Sequence, residues 1–184
     1  MTSEVTPISY VAFLRGINNI GSKTVKMVEL KLIFEAAGFK NVRTVLTSGN
    51  IIFETRISAV NTITHKLEKQ FQKRLGYQVN VVLRTSDHLK LLVNSNPFRQ
   101  IKFKPGTKPF LTFLPEESTR KLRIPYKSPD KDFIILEING HDIYSVVYLL
   151  PGIRPYRIIS FLEKEFGNKI TNRSWSTILK IVDA

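Results

Sequence analysis

Two tight-turn signals restrict the fold more than any other feature of this chain, because each joins two short apolar runs. Asn139-Gly140 links Asp132–Ile138 to Asp142–Tyr148, and Ser48-Gly49-Asn50 links Val42–Thr47 to Ile51–Glu54. Turns of this composition close antiparallel hairpins, since Asn and Gly accept positive φ at little cost. Around the first hairpin, Ser9–Leu14 reads as a strand and Met27–Ala37 as a helix. Val28, Leu30, Ile33, Phe34 and Ala37 recur there at helical spacing, and Gly38 follows as a stop. Asn61–Leu75 is a second helix, with Ile63, Leu67, Phe71 and Leu75 on one face and Gly76 after it. Val79–Arg84 is a fourth strand. The order is βαββαβ, the ferredoxin-like split unit.

The second half repeats that order without obvious sequence identity to the first. Ser86–Asn94 reads as a linking helix with Ser86 as its N-cap, and the Lys/Pro/Gly-rich segment 102–109 as a loop. Phe110–Leu114 is a strand, and Glu116–Leu122 a short helix after Pro115. After the Asn139-Gly140 hairpin come a helix, Ile158–Phe166, and a short strand around Lys169–Thr171. A last helix, Ser174–Val182, turns Ile178 and Ile181 inward. The expected fold is α+β: two tandem ferredoxin-like (βαββαβ) halves, 1–95 and 96–184, with mostly antiparallel sheets plus a C-terminal helix.

Composition narrows the partners. The 184 residues hold 28 Lys and Arg against 15 Asp and Glu, a formal charge of +13. Such a field favours anionic partners. The charge is shared by both halves, and its densest stretch is 99–131, from Arg99 and Lys102 through Lys104 and Lys108 to Lys127 and Lys131. A solvated basic surface explains it as well as a nucleic-acid patch does. The sequence contains no cysteine, which excludes disulfides and thiolate metal sites and fits a cytoplasmic location. No secretory signal and no membrane-length apolar run is visible, so no membrane partner is expected.

Catalytic patterns are missing. His65, His88 and His141 are scattered, and none is spaced with a carboxylate or a second histidine for a metal. No Gly-x-Ser-x-Gly and no phosphate-loop motif occurs, so no catalytic constellation is recognisable, no cofactor or metal is expected, and enzyme activity stays open. Two binding classes remain. The first is a small anionic ligand, a nucleotide or phosphorylated metabolite, held where the first strand ends. In a βαββαβ sheet the first and third strands are neighbours, which sets Arg15 and Gly16 beside Ser48, Gly49 and Asn50. Asn18, Gly21, Ser22 and Lys23 line the following connection, which leads into a helix N-terminus that favours an anion. Arg173 and Trp175 are expected to close this site from the C-terminal segment. These residues serve equally as loop braces and turn caps. The second class is RNA or single-stranded nucleic acid, bound on a sheet face where Tyr144 and Tyr148 alternate to one side. Sheet aromatics more often pack a core than present a platform. Neither oligomeric state nor ligand identity is legible.

Four motifs, "YVAFLRGIN", "TSGNIIF", "NPF" and "TNRSWSTILKI", stand in an order and spacing that resembles the uncharacterised bacterial family catalogued as domain of unknown function 1697. The resemblance runs nearly the whole chain. Ile20-Gly21 stands where the family usually has two glycines, and Ser174 and Ser176 flank Trp175 where it usually has Asn. The resemblance implies two ferredoxin-like halves and no particular activity.

Overall fold

The computed structural model describes residues 6–17, 25–46, 49–115, 122–149 and 156–184. Nine strands and five helices form among them, with two mostly antiparallel sheets. The chain divides into two compact units, Met1–Leu91 with Ala184, and Leu92–Asp183.

The first unit runs β1 (Ile8–Arg15), α1 (Met27–Ala36), β2 (Lys40–Val45), β3 (Asn50–Thr55), α2 (Val60–Leu75) and β4 (Asn80–Thr85). Its strands lie in the order β2-β3-β1-β4, every neighbour antiparallel. Period-2 alternation sends Tyr10, Ala12 and Leu14 of β1 into one core with Leu30, Ile33 and Phe34 of α1 and Ile63, Leu67 and Phe71 of α2. These helical residues follow i, i+3, i+4 spacing, which makes one continuous stripe. Val28 was expected on that stripe but is 69% exposed, because it lies two residues before Leu30 and points to the opposite side of the helix. The second face of β1 is buried as well. Val11 and Phe13 are at most 1% exposed, and their cross-strand partners Ile52 and Val82 are buried. The outer strand β2 is irregular: its register shifts between Lys40 and Arg43, and Asn41 sits at φ 50° with its side-chain amide donating to Glu54 at 2.7 Å.

The boundary between units falls within α3 (Ser86–Ser95). Its cap is Thr85, whose hydroxyl accepts from the His88 N–H at 3.1 Å. Ser86, expected in that role, is already the first helical residue, so the cap lies one position earlier.

The second unit contains β5 (Thr107–Phe113), β6 (Tyr126–Lys127), β7 (Phe133–Asn139), β8 (Asp142–Tyr148), α4 (Tyr156–Phe166), β9 (Thr171–Ser174) and α5 (Trp175–Val182). The sheet order is β6-β7-β8-β5-β9. Leaving the two-residue β6 aside, the long strands repeat the first unit's arrangement, with the third strand in chain order between the first and second. Leu114, Phe133, Ile135, Ile143 and Val147 pack with Ile158 and Leu162 of α4. Asn139 pairs with Asp142 across Gly140 at φ 56°, closing the expected hairpin.

Three expectations shift here. Strand β5 begins at Thr107, inside the stretch read as a loop. Pro109 is tolerated there because β9 covers β5 only from Phe110 onward, so a missing N–H at 109 costs no ladder bond on that side. The last strand lies at 171–174 instead of 169–171, and β6 was not foreseen. The short helix expected over 116–122 lies outside the described residues except for Leu122, which is not helical.

Candidate functional site

The end of β1 and the hairpin before β3 meet, although they are far apart in sequence. The Leu14 N–H donates to the Gly49 carbonyl at 2.8 Å, and Phe13 pairs with Asn50. Gly16 and Gly49 both adopt positive φ, 87° and 71°, so the backbone turns sharply on each side of this contact. Arg15 is half-buried and pairs in register with Asn80 of β4. Alternation from Leu14 sets it on the same face as Phe13, away from α1 and α2.

What fills the contact is the protein's own side chains. A Cβ on Gly49 would lie 2.8 Å from Ile17 Cδ1 and 3.1 Å from the Leu14 Cβ, so the absence of a side chain there admits Ile17. Ile17 is 5% exposed, and its carbonyl accepts from the Tyr77 hydroxyl at 2.8 Å. Asn50 is 1% exposed and its amide donates to the Val45 carbonyl at 3.1 Å, which closes the hairpin from within. Burial raises the Tyr77 phenol above its ordinary pKa, and the nearby Glu29 carboxylate on the first turn of α1 adds to the rise. An acidic group therefore stands close to this turn as well as Arg15. Tyr77 was missed from sequence because a lone tyrosine after a helix-ending glycine carries no pattern. Asn18, Gly21, Ser22, Lys23 and Ser48 lie outside the described residues.

The other candidates belong to the second unit. Arg173 lies on β9, opposite Leu111 of β5. Its guanidinium donates to the Thr171 hydroxyl at 2.8 Å and the Asn172 carbonyl at 2.9 Å. The side chain as a whole is half-buried, but the charged group sits in crowded surroundings, and this desolvation pulls its pKa down to about 10. It stays charged at neutral pH. Trp175 opens α5 behind the Ser174 cap, whose hydroxyl accepts from the Thr177 N–H at 3.2 Å. Its ring meets Phe98 edge-on at 5.2 Å, and Phe98 meets Tyr144 in the same way at 6.2 Å. Tyr144 is 7% exposed, so its ring belongs to this packed aromatic row. Tyr148, at the end of β8, is half-buried.

Among the described residues no group of three or more His, Asp or Glu could hold a metal. His65, His88 and His141 are all exposed. No helix among the described residues is long and apolar enough to cross a membrane.

Among the described residues, two mostly antiparallel sheets and five helices define an α+β protein. The chain belongs to the family of proteins of unknown function catalogued as DUF1697, whose sequence profile matches residues 8–144. A solved structure of a conserved bacterial protein from Streptococcus pneumoniae is similar over 97% of this chain and 98% of that one, with a TM-score of 0.71 and 20% identity. At that identity the likeness is one of fold. No curated protein matches the sequence.

Proposed function

We propose that this chain is a cytoplasmic binding module for a small anionic ligand, a nucleotide or phosphorylated metabolite, built from two ferredoxin-like halves and engaging the ligand where β1 ends. The observation that carries the reading is the Leu14–Gly49 hydrogen bond, which sets the Gly49 turn beside the end of β1, where Arg15 and Gly16 follow in the chain. Arg15 supplies a bidentate donor for phosphate oxygens. Gly49 and Asn50 shape the turn from inside, since Ile17 and Val45 already use them. The connection holding Asn18, Gly21, Ser22 and Lys23 and the hairpin residue Ser48 complete the proposed contact set.

A thermal-shift screen against inorganic phosphate, nucleotides and phosphorylated sugars tests it. A ligand at one hundred times its Kd adds about 2.7 kcal/mol of stability. Arg15→Ala should abolish that shift while lowering the unliganded stability by less than about 1 kcal/mol. A screen without any stabiliser, or a ligand shift that survives Arg15→Ala, overturns the reading.

The charge of +13 supports a second reading, nucleic-acid binding. Of the two rings expected to serve it, Tyr144 is 7% exposed and packs edge-on against Phe98, and Tyr148 is half-buried.

A further inference from the structure

The densest basic stretch of the sequence begins in a segment with an unusual surface. From His88 to Pro115 the chain carries Lys90, Arg99, Lys102, Lys104 and Lys108 and not one Asp or Glu. In the middle of it Phe103 is 51% exposed, and Lys102 and Lys104 on either side of it are exposed. A phenyl ring left half in water forgoes part of the benefit of burial. The segment is tied down on both sides. Before Phe103, the Arg99 N–H donates to the Asn96 carbonyl at 3.0 Å and the Ile101 N–H to the Phe98 carbonyl at 2.9 Å. Phe98 is itself 1% exposed, an anchor for that turn. After Phe103, the Thr107 N–H donates to the Lys104 carbonyl at 2.9 Å, and the Leu149 N–H to the Gly106 carbonyl at 2.8 Å. Gly106 has φ 84°, and a Cβ there would come within 3.0 Å of the Leu149 carbonyl oxygen, so the loop is seated closely on the end of β8. Strand register sets the half-buried Tyr148 directly across from Thr107, a second ring at the same end of the sheet.

We propose that the loop before β5, with the first residues of that strand, binds single-stranded nucleic acid, with Phe103 stacking on a base and Arg99, Lys102, Lys104 and Lys108 neutralising the backbone around it. An exposed ring flanked by cations matches the two components that sequence-tolerant single-strand binders combine. An unstacked base is required, because the ring faces of a duplex are covered by their neighbours. A lipid surface fits less well: one exposed ring, between two lysines on a non-helical segment, lacks the continuous apolar face that interfacial anchoring uses. This site is separate from the β1 turn, so the small-anion reading can fail without touching it.

Anisotropy of a fluorescein-labelled uridine oligomer, titrated with the full chain at several salt concentrations, tests the proposal. Phe103→Ala should weaken binding by about 10-fold while leaving the melting temperature unchanged, because the ring is not part of a core. Phe103→Trp should keep the affinity, with the new indole quenched on adding the oligomer. Lys102→Ala with Lys104→Ala should reduce the slope of log K against log salt by about 1.4, the value for two phosphate contacts on a single strand. Equal affinity of wild type and Phe103→Ala overturns the proposal. So does absence of oligomer binding together with Phe103-dependent binding to vesicles of phosphatidylserine and phosphatidylcholine, which would assign the loop to a membrane surface.

Discussion

The two units solve one strand arrangement with different interiors. In the first, a knot of rings holds the helices to the sheet: Phe34 meets Phe53 at 5.2 Å and Phe71 at 6.1 Å, and Phe39 meets Phe53 at 4.7 Å. In the second, the core packed with α4 is mostly aliphatic, and one group of rings stands at the β6 side. Tyr126 stacks on Phe161 at 4.6 Å, and Phe133 meets Phe161 at 5.5 Å. Beside those rings lies a polar turn. The Ser128 hydroxyl donates to the Asp132 carboxylate at 2.7 Å and accepts from the Asp132 and Phe133 N–H groups at 3.0 and 3.1 Å. Arg157 of α4 pairs with Asp130 and lies 3.6 Å from Asp132. Strand order is thus compatible with a ring-rich junction between helix and sheet or with a hydrogen-bonded turn beside a ring stack. What each unit needs is that every buried polar group be satisfied and every interior volume filled.

The contrast is broken most directly at Phe53. Truncation to Ala removes the ring that Tyr10, Phe34 and Phe39 all touch, and should cost about 3–5 kcal/mol in urea denaturation. Amide exchange should quicken most in β1–β4; equal quickening in β5–β9 would deny the first unit its own core. Asp132→Ala should cost about 1–3 kcal/mol, since it leaves the buried Ser128 hydroxyl without its acceptor while Arg157 keeps Asp130. A cost below about 0.5 kcal/mol would reduce the polar turn to a surface detail.

Gly49→Ala probes the first unit's turn. The strained φ and the Ile17 clash should together cost about 2 kcal/mol, and Ile17→Ala in the same chain should recover the steric part. Smallest is Tyr77→Phe, about 1 kcal/mol at neutral pH from the lost bond to the Ile17 carbonyl. Its pH signature has a definite sign. Burial, then Glu29, holds the Tyr77 phenol protonated in the folded chain above the unfolded pKa near 10. Stability is therefore full below that pH and falls as pH rises past it. The Phe variant should show a shallower alkaline fall in denaturation midpoints, with Tyr10, raised by its own burial, retaining its share.

Much of the first unit is legible in the sequence because its signals are local: glycine stops, a stripe at 30, 33, 34 and 37, and period-2 strands. Sequence order also brings the end of β1 to the hairpin, where Leu14 meets Gly49, through the neighbour rule for first and third strands. The use of Gly49 is not legible, because a glycine that admits a ligand and one that admits Ile17 read the same. Tyr144 shows the same limit from the other side: alternation places its ring on a face, and only the position of Phe98 says that the face is filled. The strand β6 escapes because two residues, Tyr126 and Lys127, carry no period at all. In the second unit Pro109 disguises a strand whose start lies outside the β9 ladder.

The irregular strand β2 has a consequence for the crowded, partly folded chain. An outermost strand offers a row of backbone donors and acceptors to any other chain that approaches. Here the row is interrupted by the shift between Lys40 and Arg43, bent by the left-handed Asn41, and fenced by two cations. A passing strand finds no run of matched partners long enough to extend the sheet. The bulge that costs the first unit a stretch of ladder thus guards it against edge-to-edge polymerisation, and Asn41, through its bond to Glu54, keeps that guard in place.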